Sequence, residues 1–171
     1  MIPLYRRLSI PAGRTLTAIL LLLTAVGITV VVFVPTEQVL IITDIQTNEI
    51  YLTQPVETGS TVALRYTHSV EKTPVSDEYR VEGTRLVHTR MEFESYGWGL
   101  PSGVNVSTVN GTFVYDPQTP ITTLESLIVS PGRIAEHTLV VDNHQHDLVA
   151  LTNASDVQIR VDRRPLAANY P

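Results

Sequence analysis

The 171-residue chain has no cysteine, a single lysine (Lys72) and a single tryptophan (Trp98). Without thiols it can form no disulfide framework, thiolate zinc site or iron–sulfur cluster, and it offers no cysteine nucleophile. Basic residues are scarce: 12 Lys and Arg stand against 17 Asp and Glu, a formal net charge of −5. A general nucleic-acid binder needs a basic footprint, which this composition does not supply. Also missing, after residue 35, is any apolar repeat of helical period sustained over three turns. Apolar residues nonetheless make up 43% of the chain, too many for a disordered polymer and enough for one core.

What is present begins with a long apolar run. From Thr15 to Val34 there is no charged residue. Twenty residues of helix rise about 30 Å, the thickness of a bilayer's hydrocarbon core. A helix inside a soluble core would normally keep a polar face, and this run has none. Arg6, Arg7 and Arg14 precede it, whereas Glu37 and Asp44 follow. By the positive-inside rule, residues 1–14 stay cytoplasmic and everything after the run is exported. A cleaved signal peptide is the competing reading, but its apolar core is usually 7–15 residues. The exit, Val32-Phe33-Val34-Pro35-Thr36-Glu37, also lacks a small-x-small cleavage pattern. The expectation is a retained, single-pass signal anchor over 15–34, placing the C-terminal part on the extracytoplasmic side of the cell membrane. Without the three N-terminal arginines, the exported part holds 9 basic against 17 acidic residues, a net of −8. It also contains sequons at Asn105, Asn110 and Asn153, glycan acceptors only in a host with that machinery.

The exported part reads as all-β. Short runs of strand-forming residues alternate with turn signals: 38–44, 49–53, 61–69, 77–82, 85–94, 104–109, 112–116, 122–130, 137–142, 147–152 and 156–162. Val62, Leu64 and Tyr66 share one face of a strand, as do Val157, Ile159 and Val161. Asn110-Gly111 is a type I′ hairpin signal, and Pro131-Gly132 marks another turn. Closely spaced strands without intervening helices predict an antiparallel sandwich or barrel-like domain over 35–162, followed by a C-terminal tail at 163–171.

Two segments stand apart from scaffold. Thr67–Tyr79 follows a clean strand and gathers His68, Ser69, Glu71, Lys72, Thr73 and Asp77 around Pro74. Ser95–Pro101, with Tyr96, Gly97, Trp98, Gly99 and Leu100, closes the strand 85–94. Two glycines flanking a tryptophan imply special backbone angles or a close approach. The stretches YTHSVEKTPVSDEY and FESYGWGLPSG closely resemble the domain-of-unknown-function family numbered 1850, as does the later run GRIAEHTLVV…DLVAL…VQIRV. The resemblance spans roughly residues 38–162, with Trp98 where the family more often has a small residue. It implies a short exported or anchored prokaryotic protein encoded beside a TAXI-type TRAP transporter, a tripartite carrier with an extracytoplasmic solute receptor. It implies an accessory role there and supplies no catalytic residues.

Several chemistries compete on these residues. A Ser69–His68 nucleophile pair is disfavoured because adjacent strand residues point to opposite faces and no Gly-x-Ser-x-Gly elbow is present; His88 or His137 could approach from another strand. His144 and His146 share a strand face, flanked by Asp142 and Asp147, and are weak metal candidates. The polar patch 142–147 also reads as a solvated hairpin turn. Glu71 and Lys72 beside Asp77 and Glu78 suggest a salt-bridged loop, or, were Lys72 buried, a carboxylate-binding site. Trp98 is either a core plug or a partner-facing anchor. The expectation is a non-enzymatic module, without cofactor, that binds a TRAP permease or its solute receptor. The candidate binding residues are His68, Ser69, Glu71, Lys72, Thr73, Pro74, Tyr79, Tyr96, Gly97, Trp98, Gly99, Leu100 and Pro101. An autonomous small-ligand domain is the alternative, and a Ser/His hydrolase or metal enzyme the more distant one.

Overall fold

The computed structural model describes residues 36–165 except Trp98. The expected anchor over 15–34 therefore lies outside the described residues, as do residues 166–171. The strands are β1 (Thr36–Asp44), β2 (Ile50–Val56), β3 (Thr61–Thr67), β4 (Pro74–Glu82), β5 (Arg85–Phe93), β6 (Ser107–Val109), β7 (Thr112–Tyr115), β8 (Thr122–Leu124), β9 (Ser126–Val129), β10 (Thr138–Val141), β11 (His144–Asp147) and β12 (Val157–Pro165). One sheet has the order β2-β1-β12-β9; the other runs β11-β10-β3-β4-β5-β7-β6, with β8 also paired to β5. Every pairing is antiparallel. The two sheets share one core, so the all-β expectation resolves as a sandwich.

Alternation builds that core. In β4, Val75, Asp77, Tyr79 and Val81 turn inward, whereas Pro74, Arg80 and Glu82 face solvent. Leu40 and Ile42 of β1 and Ile159 of β12 meet Val62 and Leu64 of β3, Leu86 of β5 and Leu139 of β10 across the sheets. Burying each such side chain fully contributes about 1.5–3 kcal/mol. A second cluster, Val75, Met91, Phe93 and Leu100, lies under the β5–β7 side, and Tyr66 packs against both clusters. The joint between the clusters is a β-bulge. Glu78 pairs with Arg90 but Tyr79 pairs with His88, leaving Thr89 as the extra residue. The bulge shifts the pleat by one residue. Leu86 and His88 are thus buried on one side of it and Met91 and Phe93 on the other, although the first two positions are even and the last two odd.

The bulge lets β5 present His88 to Asp77 in the core. His88 Nε2 stands 3.2 Å from Asp77 Oδ1, an ion-pair distance. The pair lacks the alignment of a hydrogen bond, and neither atom has another hydrogen-bond partner among the described residues. The Tyr79 ring stacks on His88 with 4.7 Å between centroids. Burial, with the Asp77 carboxylate beside it, pushes the Tyr66 phenol well above its usual range. The expected salt-bridged loop is thereby corrected. Asp77 serves the core rather than Lys72, and Lys72 makes no ion pair among the described residues.

Two further corrections concern the C-terminal half. Residues 147–152, expected as a strand, form a five-residue helix, Leu148–Thr152. The Asp147 carboxylate accepts from Ala150 N–H at 3.0 Å, and Asn153 closes the helix in the left-handed conformation. The polar patch 142–147 narrows to a turn at Asp142-Asn143 followed by β11. Asn110 (φ 51°) and Gly111 (φ 91°) form the hairpin turn their dipeptide predicted. β12 continues through Arg163–Pro165, three residues into the expected tail.

Strand directions sort the loops. The chain enters at Thr36, at the same end as the β2–β3 and β4–β5 turns; Gln38 Nε2 donates to Gly83 O there at 2.9 Å. The loops after β3, after β5 and before β10 all lie at the opposite end. Removing one member of the buried pair leaves the polar atom of the other buried without its partner, which typically costs about 1–3 kcal/mol. Asp77→Ala is expected to lower the unfolding free energy by about that much, His88→Ala comparably, and the double variant by clearly less than the sum. Urea titration of the three variants measures this; strict additivity would show that the two residues do not act as a pair.

Candidate functional site

The turn after β3 is organised by one imidazole. His68 N–H donates to Thr73 O at 2.8 Å, and Lys72 N–H donates to His68 O at 3.0 Å. The His68 side chain is buried, and its Nδ1 accepts from Val70 N–H at 3.3 Å and Glu71 N–H at 3.1 Å. The ring therefore satisfies two backbone donors that the tight turn would otherwise orphan. Lys72 takes the left-handed conformation, φ 57°, that completes the reversal. Ser69, Val70, Glu71 and Lys72 are left exposed on the crown of the turn.

The second motif packs directly on this turn. Thr73 Oγ1 and Ser95 Oγ share a hydrogen bond of 2.7 Å. Gly97 does not take the positive φ that glycine alone favours, but it has no room for a side chain. A Cβ there would lie 2.8 Å from Glu71 Cγ and 3.3 Å from His68 Cε1. Gly99 instead supplies a positive φ of 84°. One glycine thus permits a close approach and the other a left-handed turn. Leu100 N–H donates to Gly97 O at 3.2 Å, and its buried side chain joins Phe93 in the second core cluster. Tyr96 lies half exposed, its ring 5.4 Å from Phe93 and 4.7 Å from Phe113.

A third loop, at the start of the run GRIAEHTLVV and outside the two motifs, completes the site. Thr67 N–H donates to Ala135 O at 2.7 Å, tying the segment 131–137 to the end of β3. His137 Nδ1 accepts from Gly132 N–H at 3.2 Å. Its ring stacks on Tyr66, 5.3 Å between centroids and 14° between planes. Burial holds the His137 pKa below the usual imidazole range. Between the three loops is a cavity of about 270 Å³, lined by Tyr66, Thr67, His68 and Ser69 from the first, Gly99 and Leu100 from the second, and Ala135 and His137 from the third. A larger depression of about 720 Å³ lies at the opposite end, around Thr36, Glu57, Thr58 and Asp142, and includes no residue of either motif.

The expected site residues divide accordingly. His68, Ser69, Gly99 and Leu100 line the cavity; Glu71, Thr73 and Gly97 make the contact between loops; Lys72 and Tyr96 are exposed, and Pro101 is half-buried after Leu100. The Trp98 side chain lies outside the described residues. Pro74 opens β4 rather than belonging to the loop, and Tyr79 is buried in the main core. His144 and His146 share a face of β11, but His146 Nε2 bonds Gln54 Oε1 at 2.7 Å, clasping β11 to β2 of the other sheet. No cluster of three or more metal-ligating side chains occurs among the described residues. Tyr66 heads the run YTHSVEKTPVSDEY, Ala135 and His137 lie within GRIAEHTLVV, and the sequence offers His137 as an approach to Ser69, but none enters the expected binding set because their meeting depends on the pairing of β10 with β3.

The imidazoles have the wrong polarity for activating Ser69. A general base needs a free lone pair toward the serine and an acceptor behind its other nitrogen. In both His68 and His137 a backbone N–H stands behind the ring, so Nδ1 carries the lone pair and the ring proton sits on Nε2. His88 is committed to Asp77 in the core.

The contact at Gly97 is testable. Gly97→Ala is expected to lower stability by about 1–3 kcal/mol through overpacking. Adding Glu71→Ala, which removes the obstructing Cγ, is expected to restore most of it in urea titration. A Gly97→Ala cost unchanged by the second substitution would show that another constraint fixes the glycine.

A family model described as Domain of unknown function (DUF1850) matches residues 62–148, just over half of the chain. The match runs from β3 through the start of the short helix and contains all three loops. No curated protein and no solved structure gave a significant match. With both motifs and the cavity they border inside the matched stretch, the chain belongs to the DUF1850 family.

Proposed function

We propose that this protein is a membrane-anchored, extracytoplasmic binding module whose three-loop end engages a component of a TAXI-type TRAP transporter, either the permease or the solute receptor, without catalysing a reaction. The observation that carries the reading is the convergence of the two motifs: Gly97 seats against His68 and Glu71, and Thr73 bonds Ser95. Sequence spent on shaping one end of a rigid sandwich, rather than its core, is characteristic of a recognition surface.

Exposed apolar side chains support the same end. Val70, Tyr96 and Ile134 are 67%, 51% and 78% exposed, each on one of the three loops. Large apolar groups standing in a polar rim are the composition of interface anchors. The loops lie at the end of the sandwich opposite Thr36. The apolar run over 15–34 supplies the anchor, which would hold the module at a high effective concentration near a membrane partner.

Affinity purification of the full-length protein from native membranes, followed by mass spectrometry, tests the proposal. A TRAP permease or solute receptor is expected to follow the wild type and to be lost when Val70 and Ile134 are both changed to Asp. Recovery of no transporter component from well-solubilised membranes, with the bait folded, would contradict it.

A further inference from the structure

The hydrogen-bonding polarity of the cavity specifies a ligand chemistry. Because His137 Nδ1 accepts from Gly132, its Nε2 carries the proton and is a donor. That Nε2 has no protein partner among the described residues, and neither has the hydroxyl of Ser69. His137 and Ser69 line the same cavity, and its remaining walls include Leu100, Ala135 and the ring of Tyr66. Two neutral donors in a partly apolar hollow suit a ligand with a pair of acceptor oxygens and a small organic body. A metal ion is excluded by the same polarity: a ligating imidazole donates from its outer nitrogen, whereas here both cavity histidines accept there.

We infer that the cavity binds a small carboxylate, one oxygen accepting from His137 Nε2–H and the other from Ser69 Oγ–H, with the organic part against Leu100 and Tyr66. A volume of about 270 Å³ corresponds to roughly nine waters, room for a carboxylate of about five to ten heavy atoms. Phosphate fits less well, because among the described residues no cationic side chain lines the cavity to hold a dianion. Glu71 and Glu136 are exposed on the same two loops that carry Lys72 and Arg133, so water-screened charges of both signs share these loops. His68 acts as a positioning residue, its Nδ1 fixing the turn on which Ser69 sits.

The inference deepens the binding reading of this end but is separable from the identity of any protein partner. The full-length chain, in detergent and with ¹⁵N-labelled histidine, is titrated with lactate and benzoate, and with benzamide as the neutral counterpart. Saturable shifts of the His137 ring signals are expected with at least one carboxylate, at least tenfold weaker for benzamide than for benzoate. Ser69→Ala, an exposed position that leaves the fold intact, is expected to weaken carboxylate binding at least fivefold. His137→Gln, which keeps a donor, should retain part of the affinity that His137→Ala loses. Flat titrations with both carboxylates, equal binding of benzamide, or an unaffected Ser69→Ala variant would overturn the assignment. Flat titrations alongside recovery of a transporter component would remove the carboxylate site and leave the partner reading standing. Saturable binding without a transporter partner would do the reverse.

Discussion

A carboxylate in the inward phase of a buried strand is the constraint on which the arrangement of this sandwich depends. Asp77 lies between Val75 and Tyr79 on the core face of β4, where burying a lone charge would cost several kcal/mol. His88 meets it at 3.2 Å, and the bulge at Thr89 is what lets β5 present His88 and Met91 to the same interior. The phenol of Tyr66 is held beside the same carboxylate, while its ring stacks on His137. The charge in the core and the wall of the cavity are therefore joined through one tyrosine. The seam between the two apolar clusters is also the foundation of the loop end.

Above that foundation the loops are built on backbone satisfaction rather than on catalytic geometry. His68 and His137 each accept backbone N–H groups at Nδ1, so each is used to hold a turn. For His137 that assignment makes the remaining ring nitrogen a donor. Gly97 completes the loop end by absence: with no side chain, it lets two sequence-distant loops touch where any Cβ would meet Glu71. This use of the imidazoles accords with the binding role proposed for this end of the sandwich.

Much of the fold was legible because alternation is a local signal. Val62, Leu64 and Tyr66, the Asn110-Gly111 turn and the Val157–Val161 run all read directly from residue order. The helix at Leu148–Thr152 did not, since five residues cannot display a helical period and Leu-Val-Ala-Leu-Thr resembles a strand. β11 was hidden by its polar residues, His144-Gln-His-Asp, at a sheet edge where burial does not demand apolar ones. In the site, the two motifs and both glycine roles were visible, yet Tyr66 and His137 were not assigned to it. Their meeting depends on β10 pairing with β3, a contact between residues about seventy positions apart that no local pattern encodes. Asp77 carried a usable signal, an acidic residue in an apolar phase, but its partner was masked by the bulge that reverses the phase of β5.

Site-specific photo-crosslinking in native membranes tests most directly whether the three-loop end is the binding face. A crosslinking side chain is placed at Val70, at Ile134 and, as the opposite-end control, at exposed Thr58. The same discrete adduct from positions 70 and 134, with none from 58, is the predicted result. An adduct formed from position 58 while 70 and 134 stay silent would place recognition at the chain-entry end and contradict it.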